Sequence, residues 1–153
     1  MDIIIESTNV RGVSPDGRSA AGVPTRWNGE GVSNILVVEA EAIVRNVLIS
    51  VLSRHGFTVY EAATASEALT VCQSLKNEPL DLLIADHVTM ERETTEVILA
   101  AYPNTKVLHI SGWPFETVEE AQALLPGSSF LQKPFTAVEL LRNVLDLLNP
   151  RMH

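Results

Sequence analysis

The feature that most constrains the fold is the alternation, from Asn34 onward, of short apolar runs with stretches of helical periodicity. Each run is almost continuously apolar, as expected for strands that are buried on both faces of a parallel sheet. The five runs lie at residues 35–38, 58–60, 80–85, 107–110 and 130–131. Because β-α-β crossovers are right-handed, five β-α repeats predict an α/β domain with helices on both faces of one parallel sheet.

The helices between these runs are recognised by apolar residues that recur every three to four positions. They are predicted at residues 43–52, 66–75, 94–101, 116–125 and 137–148. We expect Ser66 to cap the second helix and Thr94 or Thr95 to begin the third. Thr136, with Glu139 three residues later, predicts a capping box at the start of the last helix.

Residues 1–33 are rich in Gly, Ser, Pro and Asn and show no regular period. We expect a flexible N-terminal tail over 1–33, in which only residues 3–5 could form a short strand. The tail is interpreted as a linker remnant, with a partner-binding arm as the alternative. One domain over 34–149 and a frayed end at 150–153 complete the predicted organisation.

The composition argues against several classes of function. A net charge of -8 disfavours nucleic-acid binding, which depends on Lys and Arg to neutralise phosphates. No apolar run approaches the roughly 20 residues of a membrane helix, and the acidic N-terminus is unlike a secretory signal. The single cysteine, Cys72, rules out an internal disulfide and lies in an apolar stripe, as a small core residue would. We therefore expect a cytoplasmic protein that binds neither nucleic acid nor membranes.

Polar residues follow four of the predicted strands at their carboxyl ends, where ligands bind in open α/β sheets. They are Glu39, Asp86, Ser111 and Lys133. A carboxylate can attack phosphorus to form an acyl phosphate, and a neighbouring cation and hydroxyl can stabilise the charge that develops. The alternative for Asp86 is a helix-capping or solvated acid after its strand.

Four segments in order, ILVVEAEAIVRNVL, LLIAD, VLHISG and FLQKPF, resemble the receiver domain of two-component response regulators over residues 34–149. The resemblance implies a flavodoxin-like (βα)5 fold with strand order 2-1-3-4-5. It also implies that Asp86 is the phosphoacceptor, Ser111 the switch hydroxyl and Phe130 the switch aromatic. Lys133 would pair with the phosphoryl group and form a cis peptide bond with Pro134.

The acidic site departs from the family pattern, which places adjacent acids at the end of the first strand. Glu39 keeps one carboxylate, but Ala40 replaces the acid that would contact Mg²⁺. The remaining ligands implied for Mg²⁺ are Glu39, Asp86 and the backbone carbonyl of Val88, so the ion should bind weakly. Glu41 follows, and we expect its side chain to point away from the site. His87 is interpreted as a loop histidine rather than as a replacement ligand.

These features predict a stand-alone receiver that signals in a phosphorelay and is not an enzyme. Its expected partners are a histidine kinase or phosphotransfer protein and an output protein, which would bind the face formed by the fourth helix, fifth strand and fifth helix. One alternative is a pseudo-receiver, an interaction module that works without phosphorylation, which Ala40 favours. The other is a small phosphatase that uses an aspartyl nucleophile. Such enzymes carry a second carboxylate two residues after the first, and this chain has Val88 at that position, which argues against this alternative.

In receivers, two positions tune the loss of the phosphoryl group, and the resemblance places them at Val88 and Trp113. Neither side chain readily orients an attacking water, so we predict that phosphorylated Asp86 loses its phosphoryl group slowly. The measurement is the intact mass of the phosphorylated protein over time after the donor is removed. A half-life shorter than that of fast chemotaxis-type receivers would contradict the prediction.

Overall fold

A computed structural model describes residues 3–4, 33–76, 78–112 and 128–149 of the chain. The strands in these ranges are β1 (Ile3–Ile4), β2 (Asn34–Val38), β3 (Thr58–Ala62), β4 (Leu82–Asp86), β5 (Lys106–Ser111), β6 (Ser129–Gln132) and β7 (Phe135–Thr136). The helices are α1 (Ala42–Arg54), α2 (Ala65–Leu75), α3 (Arg92–Ala101) and α4 (Ala137–Leu148). The helix predicted at 116–125 lies outside the described residues.

The main sheet contains five parallel strands in the order β3-β2-β4-β5-β6. Counted along the chain from β2, this is the order 2-1-3-4-5, so the predicted flavodoxin-like topology is confirmed. The register pairs Val38 with Ala85, Asp86 with Ile110, and Ser111 with Gln132. The ends of β2, β4 and β5 and the residues after β6 therefore meet at one edge of the sheet.

The sheet is buried on both faces, which explains why its strands are almost continuously apolar. Side chains of α1 and α4 cover one face, and side chains of α2 and α3 cover the other. The central strands contribute fully buried residues to both layers, among them Ile35, Leu36, Leu83, Ile84 and Leu108. Cys72 belongs to the second layer and is 8% exposed, which confirms the prediction that it is a core residue.

The helix ends confirm one prediction and correct two. Thr136 accepts a hydrogen bond from the Glu139 amide, and the Glu139 side chain accepts one from the Thr136 amide, which completes the predicted capping box. Ser66 does not cap α2. Thr64 does so by accepting a bond from Glu67 N–H, because it is the last extended residue before the helix.

The third helix begins at Arg92, before both threonines that were predicted to start it. Glu91 is the last extended residue before the helix, and its carbonyl accepts the first helical hydrogen bond, from Thr95 N–H at 3.1 Å. Thr95 consequently lies inside α3, where its hydroxyl donates to the Glu91 carbonyl at 3.3 Å.

The described part of the N-terminal region adds one contact outside the main sheet. β1 pairs in parallel with β7, with Ile3 opposite Phe135 and Ile4 opposite Thr136. Ser33 is 2% exposed, and its carbonyl accepts a hydrogen bond from Thr58 N–H. The other residues of the predicted tail lie outside the described ranges, so the tail over 1–33 stays a prediction.

None of the helices that the structure describes is long and apolar enough to cross a membrane.

A histidine in the middle of β5 has an unusual environment. His109 lies between Ala85 and Phe130 on the neighbouring strands. Its Nε2 atom is buried without a hydrogen-bond partner among the residues that the structure describes. Burial of the imidazole, and secondarily the charge of His87, lower the pKa of His109 to about 4. The native state therefore holds this ring neutral.

We predict that His109 makes the fold acid-sensitive. Its pKa is lower in the native than in the unfolded chain, so the unfolded chain binds more protons between about pH 6.5 and 4. The free energy of unfolding should decrease as the pH is lowered through that window, by at most about 1.4 kcal/mol per pH unit. His109→Gln should lose this part of the pH dependence in urea unfolding at several pH values.

The control is His87→Gln, which should keep most of the acid sensitivity because burial of His109 is the larger cause. An unchanged pH dependence in His109→Gln would contradict the prediction.

Candidate functional site

Three of the residues predicted at the strand ends form a buried cluster. Glu39 directly follows β2, Asp86 ends β4, and Lys133 follows β6. Their side chains are 1%, 9% and 6% exposed, respectively. The parallel register explains the convergence, because the carboxyl ends of adjacent strands lie at the same edge of the sheet.

The Lys133 ammonium group lies between the two buried carboxylates. Its Nζ is 2.8 Å from Glu39 Oε1 and 3.3 Å from Asp86 Oδ1. Burial alone lowers the pKa of Lys133, but the hydrogen bond and charge of Glu39, together with those of Asp86, outweigh burial and raise it. Lys133 is therefore a cation held in place by two anions, as buried charges require.

Glu41 also reaches this cluster, contrary to the prediction that its side chain points away. Its Oε1 lies 3.6 Å from Lys133 Nζ, although the side chain is 66% exposed. The prediction assumed that strand alternation continues past Glu39. Glu41 is instead the residue before α1, and its amide donates to Glu39 Oε2 at 3.0 Å. One ammonium group thus faces three carboxylates.

Arg45 holds the loop between β2 and α1, and the sequence analysis did not identify it. Its Nη1 donates to the carbonyls of Glu39 at 2.8 Å and Ala40 at 3.4 Å. Its Nε donates to Glu61 Oε1 at 3.1 Å. The available signal was the position of an arginine one helical turn after the acidic strand end. This clamp fixes the backbone from which the Glu39 side chain extends.

Thr89 is a second residue that the sequence analysis missed. Its amide and its hydroxyl both donate to Asp86 Oδ2, at 3.0 and 2.8 Å. Its hydroxyl oxygen accepts a bond from Ala40 N–H at 3.3 Å. The signal was a threonine three residues after a strand-end aspartate, the spacing of a capped turn. Asp86 therefore accepts hydrogen bonds within the turn after β4 as well as from Lys133.

Ser111 and Phe130 lie on the two strands beyond Asp86. Ser111 is 1% exposed, and its carbonyl accepts a hydrogen bond from Lys133 N–H at 2.7 Å. Phe130 lies on β6 opposite His109 and is partly buried. The Lys133–Pro134 peptide bond is cis, as the resemblance implied. Trp113 lies outside the described residues, and the switch roles of Ser111 and Phe130 stay predictions.

The residues as placed offer Mg²⁺ few free oxygen ligands. The ion prefers near-octahedral oxygen ligands and is usually bound through one or two carboxylates together with several waters. Glu39 and Asp86 already accept bonds from Lys133, and Ala40 supplies no side-chain oxygen. No three His, Cys, Asp or Glu side chains in the described ranges are grouped so that they could hold a metal ion. Val88 has a 73% exposed side chain on the loop after Asp86.

No family model matches the chain. The sensor kinase CckA of Brucella abortus is 32% identical over 125 residues, which are 77% of this chain and 13% of that protein. Regulatory protein VirG of Rhizobium radiobacter is 28% identical over 129 residues, and the chain spans about half of its length (47%).

Solved structures resemble the whole described domain. A response regulator receiver protein from Sinorhizobium medicae superposes with a TM-score of 0.67 at 28% identity, over 78% of this chain and 97% of that one. The receiver domain of the hybrid histidine kinase CckA superposes with a TM-score of 0.59 at 30% identity, over 76% of this chain and all of that one (100%). The sheet order, the strand-end cluster and these similarities together show that the chain belongs to the response regulator receiver family.

Proposed function

We propose that Asp86 accepts a phosphoryl group from a histidine kinase or phosphotransfer protein. The observation that carries the proposal is the position of Asp86 in a receiver domain, at the end of β4 and 3.3 Å from the Lys133 ammonium. A carboxylate is a competent nucleophile for phosphorus, and a fixed cation stabilises the charge on the transferring group.

In the proposed step, an oxygen of the Asp86 carboxylate attacks phosphorus in line with the donor nitrogen. The bond between phosphorus and that nitrogen breaks, the imidazole leaves with the electron pair, and Asp86 becomes an acyl phosphate. Lys133 then moves its contact from the carboxylate to the phosphoryl oxygens, while Glu39 keeps the ammonium in place at 2.8 Å. The Ser111 hydroxyl turns to the phosphoryl group and Phe130 follows it.

The output of this switch is a protein contact in a phosphorelay in the cytoplasm. The switch biases two conformations of Ser111, Phe130 and the adjoining face, and a partner binds one of them more tightly. On the described part of that face, Lys133 directly follows β6, and β7 separates it from α4. Mg²⁺ binds weakly in this proposal, because Ala40 removes an acidic ligand.

A second candidate function is that of a pseudo-receiver, whose interactions do not depend on phosphorylation. The specific observation in its favour is that both oxygens of Asp86 are engaged by the chain itself, Oδ1 by Lys133 and Oδ2 by Thr89. The same domain would then present a fixed surface to its partner.

We expect the full chain to gain one phosphoryl group when it is incubated with acetyl phosphate and Mg²⁺, because Asp86 and Lys133 are placed for the reaction. Asp86→Asn should gain none, since its amide is a poor nucleophile. Asp146→Asn, in the last turn of α4, is the matched control and should react like the wild type. The measurement is intact mass.

An adduct that persists in Asp86→Asn would contradict Asp86 as the acceptor. If the wild type gains no adduct but Ala40→Asp does, the missing acid is the defect and the pseudo-receiver is favoured. Steady release of phosphate from small esters would instead support the aspartyl phosphatase.

A further inference from the structure

The carboxylate of Asp86 is closed off by hydrogen bonds from three directions. Lys133 Nζ lies 3.3 Å from Oδ1, and the Thr89 amide and hydroxyl lie 3.0 and 2.8 Å from Oδ2. The Asp86 side chain is 9% exposed. An incoming phosphorus atom must reach one of these oxygens, and the two Thr89 bonds hold Oδ2 and restrict how the carboxylate can turn.

The Thr89 hydroxyl also joins two separate loops. It donates its proton to Asp86 Oδ2, on the loop after β4, and accepts from Ala40 N–H, on the loop after β2. A hydroxyl group has one donor and two acceptor positions, so both bonds can form at once. Glu39 N–H still bonds to the Ala62 carbonyl of β3, so Ala40 is the first residue of its loop whose amide leaves the sheet.

We propose that Thr89 is a positioning residue that closes the site over Asp86 and joins the two loops without a metal ion. The closed arrangement is the resting state, and phosphoryl uptake is faster once the Thr89 hydroxyl releases Oδ2. The inference concerns the same site as the proposed function, and its consequence for phosphoryl uptake rests on that function.

Two features of the site explain why threonine suits this role. The bond to Oδ2 is charge-assisted, because its acceptor is a buried carboxylate, and such bonds are roughly twice as strong as neutral ones. Ala40 carries no side-chain oxygen that could compete with Oδ2 for the Thr89 hydroxyl. The side chain of Val88, the residue before Thr89, is 73% exposed.

The first test is a double-mutant cycle between Thr89 and Asp86, measured by urea unfolding of the full chain. Thr89→Val removes the hydroxyl while keeping the size of the side chain. It should raise the unfolding equilibrium constant about tenfold in the wild-type background, as expected for loss of a bond to a charged group. In the Asp86→Ala background, the same substitution should change that constant less than about twofold.

Two further variants separate this contact from a general effect on folding. Thr89→Ser keeps the hydroxyl and should restore the coupling to Asp86. Thr95→Val is the matched control, because it makes the same substitution at a buried threonine whose hydroxyl donates to the Glu91 carbonyl and not to Asp86. Its effect should be the same with and without Asp86.

The second test is the initial rate of phosphoryl uptake from acetyl phosphate. Thr89→Val should react several-fold faster than the wild type, and Thr89→Ser should return towards the wild-type rate. Thr95→Val should not accelerate the reaction. An acceleration that the serine variant reverses is not expected of a residue that only supports the fold.

The two tests distinguish failure of this inference from failure of the proposed function. Absence of coupling between Thr89 and Asp86 would overturn the inference, whatever the uptake. Coupling with an unchanged or slower uptake in Thr89→Val would also overturn it. Coupling with no uptake in any variant would support closure by Thr89 and count against phosphoryl transfer to Asp86.

Discussion

The site depends on the burial of one ammonium group between carboxylates that lie on different strands. Lys133 is 6% exposed and bonds to Glu39 at 2.8 Å and Asp86 at 3.3 Å. Removing the ammonium group or the carboxylates would leave a buried charge without an opposite charge beside it, which is strongly unfavourable. The ends of β2 and β4 and the residues after β6 are therefore held together by electrostatics as well as by the sheet.

The parallel topology makes this arrangement possible. β2 and β4 are adjacent, so the residues that follow them are neighbours, and β5 lies between β4 and β6. The hydrogen bond between Lys133 N–H and the Ser111 carbonyl continues the pairing of β5 with the chain beyond the end of β6. It keeps Lys133 at the edge of the sheet where Asp86 lies. Glu39 and Lys133 are 94 residues apart in the sequence, and the register of the parallel strands brings them into contact.

The sequence predicted those parts of the structure that follow from periodicity and strand order. The five parallel strands and the convergence of Glu39, Asp86 and Lys133 at their carboxyl ends follow from buried apolar runs joined by right-handed crossovers, whereas the strand order was implied by the family resemblance. The capping box at Thr136 was also predictable, because both of its residues are local. Contacts that depend on one or two backbone dihedral angles, at a helix start or in a turn, were not predictable.

Such local choices account for the errors and omissions. Thr64 rather than Ser66 caps α2 because of where the extended chain ends, and Glu41 reaches Lys133 because strand alternation stops at Glu39. Thr89 was missed for a related reason. Its partner Asp86 was interpreted through its role in the family, whereas the contact between them arises from the geometry of the turn.

Ala40 connects the weak fit for Mg²⁺ with the closed state of Asp86. The cluster already has three carboxylates around one ammonium group, and an acid at position 40 would add a further negative charge that requires a cation. The backbone amide of Ala40 bonds to Thr89, and Thr89 bonds to Asp86. The loop that lacks the acidic side chain is therefore linked by hydrogen bonds to the loop that follows the nucleophile.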